Sequence, residues 1–319
     1  MKILVTPTSF KPDGDSPAWK ALGTFAEELV LNRTGRPLAG EELVDRLAGC
    51  DGVVAGLDEY TDAVIRACGG RLKVISRYGV GTDRIDLAAA KEHGVVVCVT
   101  PGANSQAVAD LAFGLMLAIA RRLPLLDRTT KAGEWVRSVG GELYGKTIGI
   151  VGLGAVGKNV AARARGFSMK ILAYDPYLDA SYAAANGIEP AAFDGLVRAS
   201  DFISLHLPLT PETWHIMSRD AMRAAKPGAV IINTARGGLV DEAAAYELLV
   251  SGHLGGLGLD AYETEPPGHS PLFALDNVVL TPHTGAHTAE ATANMAIGAV
   301  RNLIDVLSGR PCPNIVRGI

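Results

Sequence analysis

The sequence has few cysteines, and their arrangement excludes several classes of protein. Only four occur among 319 residues, at Cys50, Cys68, Cys98 and Cys312, and no two of them form a C-x-x-C motif. Disulfide scaffolds and structural zinc sites need denser or regularly spaced cysteines. We therefore expect free thiols, a cytoplasmic protein and no metal site.

An excess of positive charge and a long apolar run are also missing. The net charge is −4, so we expect no basic surface of the kind that binds nucleic acid. The longest largely apolar run, from Val108 to Ala120, contains Asp110 and is shorter than the roughly 20 residues that span a bilayer. The N-terminus leads directly into a strand-like run and does not resemble a cleavable signal. These features predict a protein that partners with neither nucleic acid nor a membrane.

The first hundred residues alternate between strand-like and helical patterns. Such alternation is typical of a parallel, doubly wound α/β sheet. The predicted strands are 2–6, 51–55, 73–76 and 95–99, and the predicted helices are 19–30, 40–47, 62–67 and 85–93. The punctuated stretch Thr100-Pro101-Gly102 marks a boundary, after which a long helix is predicted over 105–120.

The remainder of the chain predicts a second α/β unit. Its later strands are expected at 202–205, 229–233, 257–260 and 278–281, followed by a long helix over 289–307 that crosses back to the first unit. Between the units, 127–144 is less regular and contains Trp135, which either forms an interface or covers its own domain. We expect a substrate-binding domain of residues 1–99 and 286–319 and an NAD-binding domain of residues 100–285, with substrate in the cleft between them.

The stretch from Lys146 to Gly157 predicts a dinucleotide site. An apolar strand runs into Gly152, Gly154 and Gly157, which form a G-x-G-x-x-G turn before a helix. The glycines allow a tight turn, close approach of a pyrophosphate and close packing of the helix, whose N-terminus faces the phosphates. The next predicted strand ends in Asp175, at the spacing of an acid that binds the adenosine ribose.

Four polar residues follow predicted strand ends, where a reaction could be carried out. Arg236 suits a substrate carboxylate because its planar guanidinium binds carboxylates in a fork. His283 suits proton exchange with a carbonyl or hydroxyl oxygen near neutral pH. Glu265 is a carboxylate that could orient the histidine ring, and Asp260 ends a neighbouring strand. Each residue alone has a plausible structural explanation, and only their shared position at one sheet edge favours catalysis.

The order of these motifs resembles the D-2-hydroxyacid dehydrogenases, and within them the D-3-phosphoglycerate dehydrogenase branch. Besides the residues above, the resemblance is carried by His206-x-Pro208-Leu-Thr210, Asn233-Thr-Ala-Arg236-Gly, Pro282-His283-x-Gly285 and the run from Arg77 to Asp86. It covers nearly the whole chain. It implies two doubly wound parallel-sheet domains, with a Rossmann cofactor domain inserted into a flavodoxin-like substrate domain. It also implies an NAD-dependent oxidoreductase that interconverts a small D-2-hydroxy acid and its 2-keto acid, and a homodimer through the cofactor domain.

The resemblance implies a role for each matching residue. Arg236, Glu265 and His283 would be catalytic, with Arg236 binding the substrate carboxylate and Glu265 pairing with His283. Residues implied to bind substrate are Arg77, Val80, Gly81, Asn104, Arg236 and His283. Residues implied to bind NAD are Gly152, Gly154, Ala155, Val156, Gly157, Asp175, His206, Pro208, Thr210, Thr234, Ala235, Arg236, Asp260, His283 and Gly285. The negative charge of Asp175 would disfavour the 2′-phosphate of NADP.

Two departures from the resemblance leave the substrate open. Gly56 stands where several phosphoglycerate enzymes carry an arginine for the substrate phosphate. Either Arg77 or Arg84 replaces that arginine, or both belong to structural ion pairs. Besides 3-phosphoglycerate, glyoxylate, hydroxypyruvate or another 2-keto acid is then a possible substrate. Ala155 stands where many relatives carry an arginine near the pyrophosphate.

The sequence also leaves open whether the protein is an enzyme or an NADH-sensing binding protein, since corepressors of the latter kind carry similar residues. The chain ends soon after the last predicted helix, so we expect no serine-sensing regulatory domain.

The remaining histidines are expected to have no part in catalysis. His206 is predicted to be structural or to line the cofactor site. For His93, His215, His253 and His269 we predict no surrounding group of chemical partners.

Overall fold

The computed structural model describes residues 1–12 and 15–316. They form two compact units: Met1–Asn104 together with the described residues from His287 onward, and Ser105–Ala286. The helices are α1 Pro17–Phe25, α2 Gly40–Leu47, α3 Asp62–Ala67, α4 Leu87–Glu92, α5 Ser105–Ala120, α6 Leu123–Lys131, α7 Ala155–Gly166, α8 Ala180–Ala185, α9 Phe193–Ala199, α10 Arg219–Ala224, α11 Glu242–Val250 and α12 Ala289–Leu307. The strands are β1 Lys2–Val5, β2 Glu28–Leu31, β3 Gly52–Ala55, β4 Val74–Arg77, β5 Val96–Cys98, β6 Thr147–Val151, β7 Lys170–Tyr174, β8 Ile188–Pro190, β9 Phe202–Leu205, β10 Ala229–Asn233, β11 Leu254–Leu259 and β12 Val278–Leu280.

The first unit contains a five-stranded sheet in the order β2-β1-β3-β4-β5, and all its strand pairs are parallel. This is the order of flavodoxin-like folds. The middle strands read as short apolar runs because helices cover both faces of such a sheet. Helix α12 belongs to this unit and packs on β3 and β4.

One predicted helix of the first unit is wrong over its second half. The prediction ran from 19 to 30, but α1 ends at Phe25 and β2 begins at Glu28. Ala26 is already extended, and Leu29 and Leu31 pair in register with Ile3 and Val5 of β1. The apolar spacing of this stretch is compatible with either structure, so pairing with the edge of a sheet decided the outcome.

The second unit contains a seven-stranded parallel sheet in the order β12-β11-β10-β9-β6-β7-β8. Counted from β6, its first six strands have the 3-2-1-4-5-6 order of the Rossmann fold, with β12 added at the edge. The predicted fold class is therefore confirmed. The segment expected to be irregular over 127–144 begins within α6 and is irregular only from 132 onward.

The order of the second sheet decides where a site can form. Strands β9, β10, β11 and β12 are consecutive neighbours, so their carboxyl ends meet at one edge. Two apolar clusters of buried side chains join this unit's helices to the strands of the sheet. Within the residues that the structure describes, no helix is both long and apolar enough to cross a membrane.

Candidate active site

In the glycine-rich turn after β6, the absence of side chains lets other atoms approach the backbone closely. Gly152 has φ +101°, and a Cβ placed on it would lie 2.7 Å from the carbonyl carbon of His206. A Cβ on Gly157 would lie 2.0 Å from the oxygen of Gly152, so α7 can pack here only with glycine. A Cβ on Gly154 would meet nothing within 4 Å. The protein itself does not require Gly154, and the open space above the start of α7 suits a phosphate.

Asp175 follows β7 directly and faces this turn. One carboxylate oxygen accepts a hydrogen bond from the Leu153 N–H at 2.7 Å, and the other accepts one from the Tyr177 N–H at 2.8 Å. These bonds fix the carboxylate beside the glycine turn, and its remaining lone pairs can accept further hydrogen bonds. Ala155 and Val156 form the first residues of α7.

The turn after β10 contains an unsatisfied hydroxyl. Asn233 is buried; its side-chain amide donates to the Arg236 carbonyl at 2.7 Å and its oxygen accepts from the Ala235 N–H at 3.1 Å. Within the turn, Thr234 Oγ1 is buried and has no hydrogen-bond partner among the described residues. An unpaired buried hydroxyl is costly, so it marks a position where a polar ligand fits. Together with the open glycine turn and Asp175, it fits the donors and acceptors of a dinucleotide.

The end of β9 carries a neutral histidine. The ring of His206 lies 2.9 Å from Ser204 Oγ through Nε2, and burial lowers the pKa of this histidine to about 3. Its backbone continues the sheet by donating to the Val151 carbonyl at 2.7 Å. Thr213 closes the following turn by donating to the Pro208 carbonyl and accepting from the Thr210 N–H, both at 2.8 Å. An uncharged histidine suits the lining of a site better than proton donation.

Arg236 leaves the sheet at the end of the β10 turn. Its guanidinium donates to the Ala235 carbonyl at 2.7 Å, and the side chain is half-buried. A Cβ on Gly237 would lie 1.8 Å from the carbonyl carbon of Tyr262, so only glycine allows the chain to turn here. The close contact holds the Arg236 turn against the end of β11.

His283 and Glu265 form the predicted pair. Nδ1 of His283 lies 2.9 Å from each carboxylate oxygen of Glu265, which leaves Nε2 as the nitrogen that can face a substrate. Burial alone would raise the pKa of Glu265, but the bond and charge of His283, the Tyr262 N–H and the charge of Arg236 outweigh it and lower this pKa. Glu265 is therefore a carboxylate at neutral pH, and it fixes the orientation of the imidazole ring.

Asp260 holds the turn on which His283 lies. One carboxylate oxygen accepts from Thr281 Oγ1 at 2.6 Å and the Thr284 N–H at 2.7 Å, and the other accepts from the Gly285 N–H at 2.7 Å. His283 itself has φ +51°, an uncommon conformation for a residue other than glycine. Three bonds to a buried carboxylate stabilise that conformation, so Asp260 acts here on the position of His283.

Sequence reasoning missed Tyr262, which joins the ends of β11 and β12. Its hydroxyl donates to the Thr281 carbonyl at 2.8 Å and its N–H donates to Glu265 Oε1 at 3.2 Å. Burial, with the charge of Asp260, raises the pKa of Tyr262 to about 12. The tyrosine two residues after a strand-ending aspartate was the available signal, but nothing in the pattern gives the direction of its side chain.

The candidate substrate residues of the first unit follow β4 and β5. The guanidinium of Arg77 donates to the carbonyls of Gly81 at 3.0 Å and Ala55 at 3.3 Å, and also to that of Tyr78. These bonds shape the loop that contains Val80 and Gly81, and Val80 is exposed. Asn104 is half-buried at the end of this part of the chain.

The prediction that His215 has no chemical partners is wrong. Its Nε2 lies 3.0 Å from Glu263 Oε1, and ligand atoms of His215, Asp241 and Glu263 lie within 4.8 Å of one another. His93 Nε2 likewise lies 3.6 Å from Asp62. These partners come from distant segments, so only folding brings them to the histidines. The contact between His215 and Glu263 accounts for both of these side chains, and Asp241 caps α11 by accepting from the Ala244 N–H at 2.9 Å.

Known proteins resemble the chain in both sequence and structure. Residues 113–285 match the model for the D-isomer specific 2-hydroxyacid dehydrogenase, NAD binding domain. A D-3-phosphoglycerate dehydrogenase of Methanocaldococcus jannaschii is 44% identical over 91% of this chain, but the match covers only 56% of that protein. A hydroxypyruvate reductase of Thermotoga maritima is 43% identical over 88% of this chain and 94% of its own length. A crystal structure of a glyoxylate reductase from Paecilomyes thermophila superimposes with a TM-score of 0.86, at 30% identity, over 99% of this chain and 98% of its own.

The fold and the site define the class: an α/β protein with a Rossmann domain for NAD and a histidine–glutamate pair at the carboxyl edge of its sheet. The chain belongs to the D-isomer specific 2-hydroxyacid dehydrogenase family. It spans little more than half the length of the phosphoglycerate dehydrogenase that it matches.

Proposed function

We propose that the protein is an NAD-dependent oxidoreductase that interconverts small D-2-hydroxy acids and 2-keto acids. The observation that carries the proposal is the His283–Glu265 pair, with Nδ1 held 2.9 Å from the carboxylate on a turn fixed by Asp260. The arrangement orients one nitrogen of the ring for proton exchange. Family membership supports the same reaction class.

His283 exchanges the proton at the substrate oxygen in both directions. In reduction, protonated Nε2 donates to the carbonyl oxygen as it becomes a hydroxyl; in oxidation, neutral Nε2 accepts the hydroxyl proton. Glu265 remains a carboxylate throughout, because its pKa is lowered. Arg236 binds the substrate carboxylate through its planar guanidinium and adds positive charge where the carbonyl oxygen gains negative charge.

NAD, when bound, supplies or accepts the hydride. The residues proposed to hold it are Gly154 and the start of α7 at the pyrophosphate, Asp175 at the adenosine ribose and Thr234 with its unpaired hydroxyl. Asp260 and His206 line the same sheet edge, and His206 does so as a neutral ring. The negative charge of Asp175 favours NAD over NADP because a 2′-phosphate would be repelled there.

We propose that the substrate is a small unphosphorylated 2-keto acid such as glyoxylate or hydroxypyruvate. Gly56 itself supplies no cation, and a Cβ there would lie 3.1 Å from Pro7 Cα, which is a tight contact. Arg77 already donates to three backbone carbonyls, and Arg84 lies 3.6 Å from Glu59. The Arg77 guanidinium is held to its own loop by these bonds, whereas the exposed Arg84–Glu59 pair is weak, so Arg84 is the cation that a phosphorylated substrate would have to use.

The test measures NADH oxidation by the full chain against glyoxylate, hydroxypyruvate, pyruvate and 3-phosphohydroxypyruvate. We expect the highest kcat/KM with glyoxylate or hydroxypyruvate. A clear preference for 3-phosphohydroxypyruvate would overturn the substrate assignment and leave the reaction class intact. No turnover with any of the four acids, together with tight NADH binding, would instead support a corepressor-like protein.

We also propose a homodimer that forms through the segment 132–146. Three large side chains of this segment are exposed in the single chain, Trp135 at 81%, Val139 at 89% and Tyr144 at 68%, whereas Leu143 is buried. Exposed apolar groups clustered in one segment favour burial against a second copy. Sedimentation equilibrium tests the proposal, and a monomer at micromolar concentration would contradict it.

The cysteine content and the net charge bear on the cellular location and on further partners. Four free thiols support a reducing compartment, and we propose the cytoplasm. The net charge of −4 argues against a nucleic acid or an anionic membrane as a partner.

A further inference from the structure

Two cysteines that are far apart in the sequence are neighbours in the first unit. The sulfurs of Cys98 and Cys312 lie 3.7 Å apart, close to van der Waals contact. Cys98 is the last residue of β5 and is fully buried, whereas Cys312 follows α12 and is half-buried. Both are free thiols.

The backbone around both cysteines is fixed by antiparallel pairing. The Val99 N–H donates to the Asn314 carbonyl at 3.1 Å, and the Val316 N–H donates to the Val97 carbonyl at 2.9 Å. Cys98 lies opposite Ile315 in this pairing. The segment after Cys312 therefore runs antiparallel to β5 and pairs with it through a single bridge.

Asn302 of α12 joins the two sides of the contact. Its amide donates to the Val99 carbonyl at 2.8 Å, and its oxygen accepts from the Asn314 amide at 2.9 Å and the Cys312 thiol at 3.5 Å. Asn302 is buried, so these bonds are shielded from water. They hold Cys312 next to Cys98.

The other two cysteines provide an internal comparison. The Cys50 thiol donates to the Arg46 carbonyl at 3.4 Å, and the Cys68 thiol donates to the Val64 carbonyl at 3.3 Å. Each of these sulfurs therefore bonds to the backbone of the helix that precedes it. Of the thiols that the structure describes, Cys98 and Cys312 are the pair whose sulfurs contact each other.

We propose that Cys98 and Cys312 are a site of reversible oxidation, at which a disulfide ties the segment after α12 to β5. A disulfide bond is about 2.05 Å long, so the sulfurs must approach by about 1.7 Å. Cys312 lies in an irregular segment between α12 and the paired Asn314, where a shift of this size is feasible.

The oxidant is a peroxide, and the reaction has two steps. Hydrogen peroxide first converts the half-buried Cys312 thiol to a sulfenic acid and releases one water. The sulfur of Cys98 then attacks the sulfenic sulfur, the S–O bond breaks, and the hydroxide leaves as a second water with the Cys98 proton. The two thiols are each oxidised by one electron, and peroxide receives both. Burial raises the pKa of Cys98, so its thiol is protonated and the second step is slow.

The first experiment maps disulfides in the full chain before and after peroxide treatment. We expect the intact mass to fall by two hydrogen atoms, one cross-linked peptide pair containing Cys98 and Cys312, and reversal by dithiothreitol. The Cys312→Ser variant should lose the cross-link, and the Cys50→Ser/Cys68→Ser double variant should keep it. Oxygen added to Cys312 without a cross-link, a Cys50–Cys68 bond, or a dimer joined through Cys312 would each overturn the proposal.

A second experiment tests whether the bond ties the segment to the sheet. A disulfide between residues so far apart restricts the unfolded chain strongly. We expect Tm of the oxidised wild type to rise by several degrees over the reduced protein, and Tm of Cys312→Ser to be unaffected by peroxide. An oxidised protein with the cross-link but an unchanged or lower Tm would contradict the structural role of the bond.

Discussion

The second unit contains two histidine–glutamate pairs that are alike in distance but differ in the ring nitrogen that is paired, Nδ1 in His283 and Nε2 in His215, and in their surroundings. His283 lies 2.9 Å from Glu265, and His215 lies 3.0 Å from Glu263, only two residues away along the same loop. Both histidines have left-handed backbones, with φ +51° and +48°. The side chains of both pairs are half-buried.

The charges around the two pairs decide what each can do. Arg236 contributes positive charge near Glu265 and can bind an anionic substrate. Near Glu263 lie Asp241 and Glu242, and the Glu242 N–H donates to Glu263 at 3.1 Å. Burial raises the pKa of Glu242, and the charge of Glu263 adds to that rise. A 2-keto acid would be repelled there, so a histidine–glutamate pair by itself does not define an active site.

The largest expected effect is on kcat, when the imidazole of His283 and that of His215 are removed in separate variants. His283→Gln removes the group proposed to exchange the proton, and we expect kcat to fall by about 10²- to 10⁴-fold. His215→Gln is the matched control and should keep kcat close to wild type. Steady-state kinetics with glyoxylate and NADH, and NADH binding by fluorescence, measure both. Equal losses in the two variants would remove the distinction between the pairs.

A smaller effect is expected when the carboxylate is neutralised. Glu265→Gln should lower kcat by about 10- to 100-fold, because hydrogen bonds to charged groups are worth about 1.5–3 kcal/mol. Glu263→Gln is its control and should have little effect on kcat. The same steady-state kinetics measure both variants, and a wild-type kcat in Glu265→Gln would show that the ring needs no carboxylate.

The lowered pKa of Glu265 also makes a prediction about folding stability. The stabilising contribution of the ionised group is complete above the usual pKa of 4.5 and is lost only as pH falls through the lower folded value. The difference in free energy of unfolding between wild type and Glu265→Gln, measured by urea unfolding, should therefore be constant between about pH 6 and pH 8. A loss of the difference within this range would contradict an ionised Glu265.

Alanine substitutions at two glycines test how strongly the turns next to His283 and His215 depend on close packing. A Cβ on Gly285 would lie 2.9 Å from the buried Asp260 carboxylate, and one on Gly238 would lie 2.4 Å from the ring of Trp214. Trp214 is exposed and can move, whereas Asp260 cannot. We expect Gly285→Ala to lower the free energy of unfolding by about 1–3 kcal/mol and to lower kcat. Gly238→Ala should cost less stability and keep most activity. Urea unfolding and kinetics check both, and an inactive Gly238→Ala with an active Gly285→Ala would reverse the argument.

The smallest effect concerns His206, a histidine with a hydroxyl in place of a carboxylate partner. Its folded pKa of about 3 lies below the usual 6.5, so the unfolded chain binds a proton first as pH falls. Between pH 6.5 and pH 5.5 the wild type should lose about 1 kcal/mol more unfolding free energy than His206→Gln. Urea unfolding at the two pH values measures this. An equal loss in both proteins would mean that His206 is protonated as easily in the folded state.

Sequence patterns predicted the elements that are stabilised locally. Helices α2, α3, α5 and α12 have the predicted bounds, because their apolar periodicity and their flanking residues agree. The glycine turn was recognisable as well, since only glycine permits its conformation at Gly152 and its packing at Gly157. Strand β2 was not predicted, because its short pattern is ambiguous until β1 is beside it.

The sequence by itself determined the class of fold, the family and the residue types available for chemistry. Only the tertiary structure decided which of them meet, because the contacts join segments that are far apart along the chain. Asp260 reaches the turn of His283, His215 meets Glu263, and Cys98 meets Cys312 through folding alone. Local patterns specify backbone conformation, whereas the side-chain partners depend on sheet order and on the packing of loops at one edge.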